Sequence, residues 1–307
     1  VDLETKALIA KYYLKGISVR RIAELINYDY GKETIRKELN RAGANMRGRS
    51  TSYKNRSEFC LQEAAQFSEL LGYLYGDDHI TKNKNTSHGG YDCILTFALN
   101  EEDLIRRAEF ITSNLFGFKP RRIIKAGYCS LKFRRSFAKY LHHIGYPAGK
   151  KSVMNPRLPL HLFDSPTLKR GFLRGFLNAE AGINQTIAVH QSVRIRLPGC
   201  AIEKLCTIGT KTVIRGHPCC FVRWSNAKNV VGSLQVKSNI LLGVQQLLLD
   251  LGIKSVIYPI RIYLGNNGIT SVHFELHILP KFIKQVKMLN LISCEKKLKK
   301  ISLLLRQ

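Results

Sequence analysis

The chain has 307 residues, room for about two ordinary domains, and carries 49 Lys and Arg against 22 Asp and Glu, a formal charge of +27. A surplus of that size, spread along a chain with no apolar run near the ~18 residues of a membrane-spanning helix, points to nucleic acid and away from a bilayer. Eight cysteines without a C-x-x-C pair, and no secretory hydrophobic region, read as an intracellular protein.

Residues 1–43 read as a small all-α unit. The apolar period Ala7, Leu8, Ala10, Tyr13, Leu14 stops at Gly16. Ser18 is placed to cap a helix running to Ile26, and Gly31 to Asn40 resumes the helical period before Gly43. With Ile22, Ala23, Ile35 and Leu39 as its core, this pattern resembles a resolvase-type helix-turn-helix. That motif enters a major groove by the first residues of its third helix, which implies Lys32, Thr34 and Lys37 as DNA contacts. A three-helix protein-interaction module has the same periodicity; the charge of the chain favours DNA. Residues 44–58 hold almost nothing that could form a core and read as a basic linker. It is either solvated or laid along a minor groove through Arg47 and Arg49.

From Phe59 the chain repeats itself. Ser68 to Ile80 and Lys169 to Ile183 are two versions of one helical segment ending in acid. After each come alternating strand-like residues, an apolar helix closed by a glycine (Leu104 to Gly117; Ile240 to Gly252), a hairpin (Arg121 to Arg134; Val256 to His277) and a closing helix. Each half is therefore expected to be αββαββα, the first over 59–160 and the second over 161–307. An insertion between Ile183 and Leu234 in the second half carries four of the cysteines, Cys200, Cys206, Cys219 and Cys220, with His217 among them. No zinc is expected there, because the C-x(2-4)-C spacing is missing and buried thiols explain the residues more simply.

The repeated segments place small residues four apart, Gly72 with Gly76 and Gly175 with Ala179. A helix-interior Gly costs about 1 kcal/mol relative to Ala, so something must offset it, and close approach of the two helix backbones is the simplest source. Both segments then end in carboxylates, Asp77 with Asp78 and Glu180, where the helix macrodipole disfavours negative charge. Carboxylates brought together in that way suit Mg²⁺, or another divalent cation such as Mn²⁺ or Ca²⁺, which takes one or two protein carboxylates and keeps positions for water and phosphate.

Leu70 to Asp78 and Leu173 to Ala181 resemble the paired motifs of single-chain LAGLIDADG homing endonucleases, and the resemblance extends over roughly residues 59 to 307. It implies an α+β fold of two pseudo-symmetric αββαββα halves forming a β-saddle, preceded here by the small helix-turn-helix domain. It implies a monomeric enzyme that cuts both strands of a long DNA site, and by family habit an intron-associated, cytoplasmic protein of a prokaryote, an archaeon above all. The last acid of each motif holds the metal in that family, which falls on Asp77 and Glu180. The glycine that usually follows the acid is Asp78 in one copy and Ala181 in the other. A basic residue in each half supports the attacking water or leaving oxygen; Gly149-Lys150-Lys151-Ser152 points to Lys151, and Cys294-Glu295-Lys296-Lys297 to Lys297. Polar residues closing the second strand, Asn100 in one half and Lys237 or Ser238 in the other, are further candidates.

The resemblance also turns the hairpins into a DNA surface. Alternation buries Ile80 and turns out His79, Thr81 and Asn83; it turns out Lys132 and Arg134 beside Leu131 and Phe133, and Arg261 and Tyr263 between Ile260, Ile262 and Leu264. Asn184, just past the second motif, joins them. Two other readings stand beside cleavage. One is a non-cleaving DNA-binding regulator of the WhiA type, although there the helix-turn-helix follows the motif domain and here it precedes it. The other is an RNA maturase that binds intron RNA. The chain neither starts with a nucleophilic Cys or Ser nor ends in His-Asn, so protein splicing is not expected.

Overall fold

The computed structural model describes residues 2, 5–6, 8–9, 12, 19–26, 31–41, 59–83, 90–197, 199–214, 217–231, 236–265 and 269–306. The side chains of Lys32, Asp77, His79 and Asn83, and the whole of Arg47 and Arg49, lie outside that description. Two compact units divide between Tyr53 and Lys54, inside the stretch read as a linker.

In the first unit, α1 (Val19–Leu25) and α2 (Lys32–Arg41) share a core with Ile9. Ile22, Ala23, Ile35 and Leu39 are each at most 1% exposed, Ile26 joins them, and Tyr12 and Val19 pack on the outside. An ion pair of 3.5 Å from Lys6 to Glu38 ties the segment preceding α1 to α2. Lys37 is exposed and Thr34 half-buried.

The second unit begins with α3 (Leu61–Asp77), β1 (Asp78–Asn83), β2 (Gly90–Ala98), α4 (Glu102–Phe116), β3 (Arg121–Lys125), β4 (Tyr128–Lys132), α5 (Arg135–His143) and a short α6 (Lys151–Met154). Its antiparallel sheet has the order β1-β2-β4-β3. Cys93, Leu95 and Phe97 alternate onto the buried side of β2. Gly117 ends α4 in the left-handed conformation, φ 64°, where its N–H reaches the Ser113 carbonyl.

The second half repeats the plan with α7 (Pro166–Glu180), β5 (Ala181–Ile183) and β6 (Ile187–Arg196), followed by α8 (Gly199–Ile208), β7 (Thr210–Ile214), β8 (His217–Arg223) and α9 (Trp224–Val231). The repeat then resumes with α10 (Asn239–Asp250), β9 (Ser255–Gly265), β10 (Ile269–Ile278), α11 (Ile283–Met288) and α12 (Glu295–Leu304). Ser165 caps α7 ahead of Pro166, and Ser238 caps α10.

The second sheet runs β5-β6-β10-β9-β8-β7, the order of the first sheet with two strands added beyond β9. This narrows the expected insertion. β6 belongs to the repeat, since Ile187, Val189 and Val193 alternate into the core; what is added is a helix-hairpin-helix whose strands lengthen the sheet. Strict alternation also fails in β9. Pairing passes from His273 with Arg261 to Phe274 with Pro259, which leaves Ile260 as an extra residue. Pro259 has no N–H to give to the ladder and sits at this bulge, so Ile260 leaves the face of Ile262 and Leu264 on which alternation placed it.

Candidate active site and nucleic-acid face

The site is built where α3 meets α7. A Cβ added at Gly72 would overlap the Phe172 carbonyl oxygen and lie 2.7 Å from the Phe176 nitrogen; one at Gly175 would overlap the Glu69 carbonyl and lie 2.8 Å from the Tyr73 nitrogen. At Gly76 it would come within 2.6 Å of the Ala179 Cβ. Gly171 belongs to the same seam, its added Cβ falling 2.5 Å from the Ala65 carbonyl oxygen. The sequence reading passes over Gly171, although Gly171, Gly175 and Ala179 continue a single four-residue spacing, as do Ser68, Gly72 and Gly76.

One buried ionic group lies along the seam and is not visible in the sequence pattern. Glu69, its side chain 2% exposed, accepts from Arg107 Nε at 3.1 Å, from Arg107 Nη2 at 2.8 Å and from the Tyr73 hydroxyl at 3.1 Å. Arg174 approaches it from the other half at 3.8 Å. Burial, with Glu69 alongside, pushes the Tyr73 phenol well above its ordinary range, so it stays a hydrogen-bond donor.

Seam geometry fixes the ends of both helices. Asp77 is the last residue of α3 and Glu180 the last of α7. The Glu180 Cγ lies 3.1 Å from where a Cβ would stand on Gly76, the residue before Asp77. Oε1 of Glu180 accepts from Gln191 Nε2 at 3.1 Å. Gln191 is a polar group that a strand brings to the acid. Asn100 is exposed in the turn after β2, Ser238 is committed to capping α10, and Lys237 is exposed just before it. The available signal was parity, because Gln191 follows Ile187 and Val189 at inward positions of β6.

Two lysines occupy equivalent places. Lys151 Nζ donates to the carbonyls of Leu74 at 3.1 Å, Tyr75 at 2.7 Å and Gly76. Lys297 Nζ donates to Asn178 and, at 3.4 Å, to Leu177. Each ammonium therefore meets the orphan carbonyls and negative dipole end of a motif helix, beside the acid that ends it. The loops carrying them are docked by different chemistry. The Tyr146 hydroxyl donates to the Leu74 carbonyl at 2.5 Å in the first half; in the second, fully buried Asn178 accepts from Ser293 N at 3.0 Å and Cys294 N at 2.9 Å. Three bonds to carbonyls use the three donors of the Lys151 ammonium. Lys151→Met is accordingly expected to lower the melting temperature by about 4–8 °C, from a loss of ~2 kcal/mol, with Lys151→Arg intermediate; thermal melts check this.

The strand faces turned away from the helices carry most of the remaining candidates. Thr81 is exposed. Lys132 is held 3.5 Å from Asp92. Arg134 is not on a strand: β4 stops at Lys132, and Arg134 precedes α5 with its guanidinium 4.9 Å from the centre of the Phe118 ring. The aromatic surface at the end of α4 draws it off the strand face. Asn184 is exposed in the turn between β5 and β6. Arg261 lies 5.6 Å over the Tyr263 ring, and its Nε is buried without a hydrogen-bond partner among the described residues. Beside it, His273 is driven down to about 4, first by burial and then by Arg261 and His190. Its imidazole is neutral at pH 7. His190, Arg194 and Arg196 of β6 and Arg223 of β8 are exposed as well, and the sequence reading does not single them out.

Cys200 and Cys206 are exposed on α8 and Cys220 is buried; the side chains of Cys219 and His217 lie outside the described residues. Among the described residues no three His, Cys, Asp or Glu side chains gather as a metal cluster, and no helix is long and apolar enough to cross a membrane.

No protein-family profile and no curated protein sequence matches the chain. Solved structures do. I-DmoI in complex with DNA and manganese is 14% identical, with a TM-score of 0.42, over 74% of this chain and 97% of that one. The LAGLIDADG homing endonuclease I-GzeII in complex with its DNA target is 10% identical, with a TM-score of 0.35, over 78% and 88%. Full-length DUF199/WhiA from Thermatoga maritima is 12% identical, with a TM-score of 0.32, over 80% and 60%. Most of the chain is thus similar to single-chain, double-motif LAGLIDADG proteins, and the described elements from Leu61 onward give two αββαββα halves joined along a small-residue helix pair.

Proposed function

We propose that this chain is a site-specific DNA endonuclease that cuts both strands with the help of a divalent cation. The observation that carries the reading is the seam: close packing of α3 and α7 lays Glu180 against Gly76, so the two motif helices end side by side, one in Asp77 and the other in Glu180. Carboxylate oxygens at helix ends, with a glutamine amide beside one of them and no soft ligand on the motif helices, form a donor set suited to Mg²⁺ and similar hard cations. Asp77 and Glu180 would hold the cation, which when bound supplies Lewis acidity to phosphate oxygens.

The remaining work falls to the chain. Lys151 and Lys297 offset the helix dipoles and fix the ends from which the acids project, and Gln191 orients Glu180. An ammonium beside each acid also places positive charge where a phosphodiester gains negative charge during in-line attack by water. The polar strand faces, with Thr81, Lys132, Asn184, Arg261 and Tyr263, bind backbone and base edges. His79 and Asn83, carried by the same strand β1 as Thr81, belong to the proposed surface. The helical unit at 1–43, through Lys32, Thr34 and Lys37, and the basic stretch after it, with Arg47 and Arg49, extend the bound DNA surface.

The test is incubation of the purified chain with a randomised or genomic DNA library and Mg²⁺. Defined double-strand ends that vanish when EDTA is added, and return with excess Mg²⁺, are expected. Tight, salt-dependent binding with no cut strand in any divalent cation would instead favour the regulator reading.

A further inference from the structure

The outward face of the second sheet carries an acid where a DNA-binding surface would be expected to avoid one. Glu275 of β10 lies directly across from His190 of β6 and two residues from His277 on its own strand. Its Oε1 is 2.9 Å from His190 Nδ1 and its Oε2 2.8 Å from His277 Nε2. The Glu275 side chain is 18% exposed, whereas that of His190 is 49% exposed. Tyr258 stacks on His277, ring centres 4.9 Å apart, and its phenol is pushed up by burial and by Glu275, so it remains protonated.

A carboxylate oxygen can only accept, so each contacting ring nitrogen must carry the hydrogen. With Nδ1–H of His190 committed to Glu275, the neutral ring has a bare Nε2 as its acceptor; with Nε2–H of His277 committed, the bare atom is Nδ1. Glu275 therefore sets the tautomer of both rings. The cluster offers acceptors: the carboxylate and two imidazole nitrogens. In a major groove, the edges that answer an acceptor are the amino groups of adenine N6 and cytosine N4; guanine and thymine show oxygens there.

Resting on the endonuclease reading above, we propose that His190, held in its Nδ1–H tautomer by Glu275, is a specificity-determining residue. It selects a base bearing a major-groove amino group, adenine or cytosine, on the flank of the target bound by the second half. His190 is the reader because it is the more exposed ring, and Glu275 and His277 complete the acceptor patch behind it. Arg261, whose buried Nε lacks a partner among the described residues, lies across from His273 on the neighbouring strand pair and supplies donor character beside the patch.

The experiment is selection of bound DNA from a randomised library at pH 8, where an ordinary imidazole is neutral, with the full-length chain, Glu275→Gln and His190→Ala. A glutamine amide can donate as well as accept, so it releases the tautomer. The expected result is a position on one flank restricted to adenine or cytosine in the parent. There the preference falls at least fivefold in Glu275→Gln and disappears in His190→Ala, while the rest of the site is unchanged, as loss of a single base contact requires. Parent-like melting curves exclude unfolding as the cause. An unchanged preference in both variants, or a parent that selects guanine or thymine there, overturns the proposal while leaving the endonuclease reading intact. If the parent selects no sequence and cuts none, both fall together.

Discussion

Asp77→Asn and Glu180→Gln are each expected to abolish double-strand cleavage while leaving DNA affinity within about tenfold, because affinity for DNA rests mostly on phosphate contacts made elsewhere. Either change removes one negative charge and keeps the shape of the side chain, so helix packing is spared. The acid end is also where the fold works against itself. A carboxylate at a helix C-terminus faces the negative end of the macrodipole, and the lysines at the last carbonyls relieve only part of that repulsion. Removing the charge should therefore hold or slightly raise the melting temperature while activity disappears. Plasmid cleavage, gel-shift affinity and thermal melts on the same preparations check the three parts. Parent-level cutting by either variant would remove these two residues from the metal site.

Gly175→Leu is expected to have the largest effect on stability. Its side chain would begin inside the Glu69 carbonyl and beside the Tyr73 nitrogen, both backbone atoms that cannot rotate away. Overpacking of a tight core typically costs about 1–3 kcal/mol, occasionally more, and a contact with backbone belongs at the upper end. For a unit of this size that is a fall of about 6–12 °C in melting temperature. Cleavage should fall further than stability, since α3 and α7 can separate only by moving Glu180 away from Asp77. The same replacement at Gly199, at the start of α8 with nothing among the described residues within 4 Å, is the control and should do neither. A Gly175→Leu protein that melts and cuts like its parent would mean that the helices do not touch there.

Much of this architecture was legible because duplication makes weak signals double. One glycine pair in a helix says little; two pairs at matching offsets, each followed by an acid, specify a helix pair and the position of its ends. Hairpins and glycine-terminated helices followed from period and turn chemistry, and the order of the first sheet recurs in the second. Features without local periodicity were not legible. The Glu69 cluster joins residues 38 and 105 positions apart in the chain through long-range packing. Gln191 became visible only once β6 had a register, and the bulge at Ile260 depends on what Pro259 faces across the ladder. Arg134 matched the alternation of its neighbours, but the strand had already ended.

The seam also settles which halves belong together. Aligning the two motifs by Gly72 and Gly175 places Arg174 opposite Leu71 in the repeat and Glu69 opposite Phe172. The carboxylate therefore has its cross-seam cation only when a first half meets a second half. A pair of first halves would keep Arg107 on the Glu69 carboxylate but set that carboxylate against leucine in place of Arg174, and a pair of second halves would set Arg174 against phenylalanine in place of that carboxylate. Each half therefore meets in the other a contact that a copy of itself would lack. Under the proposed activity the two flanks of the DNA target need share no palindrome, so each half can drift toward its own stretch of sequence without disturbing the other.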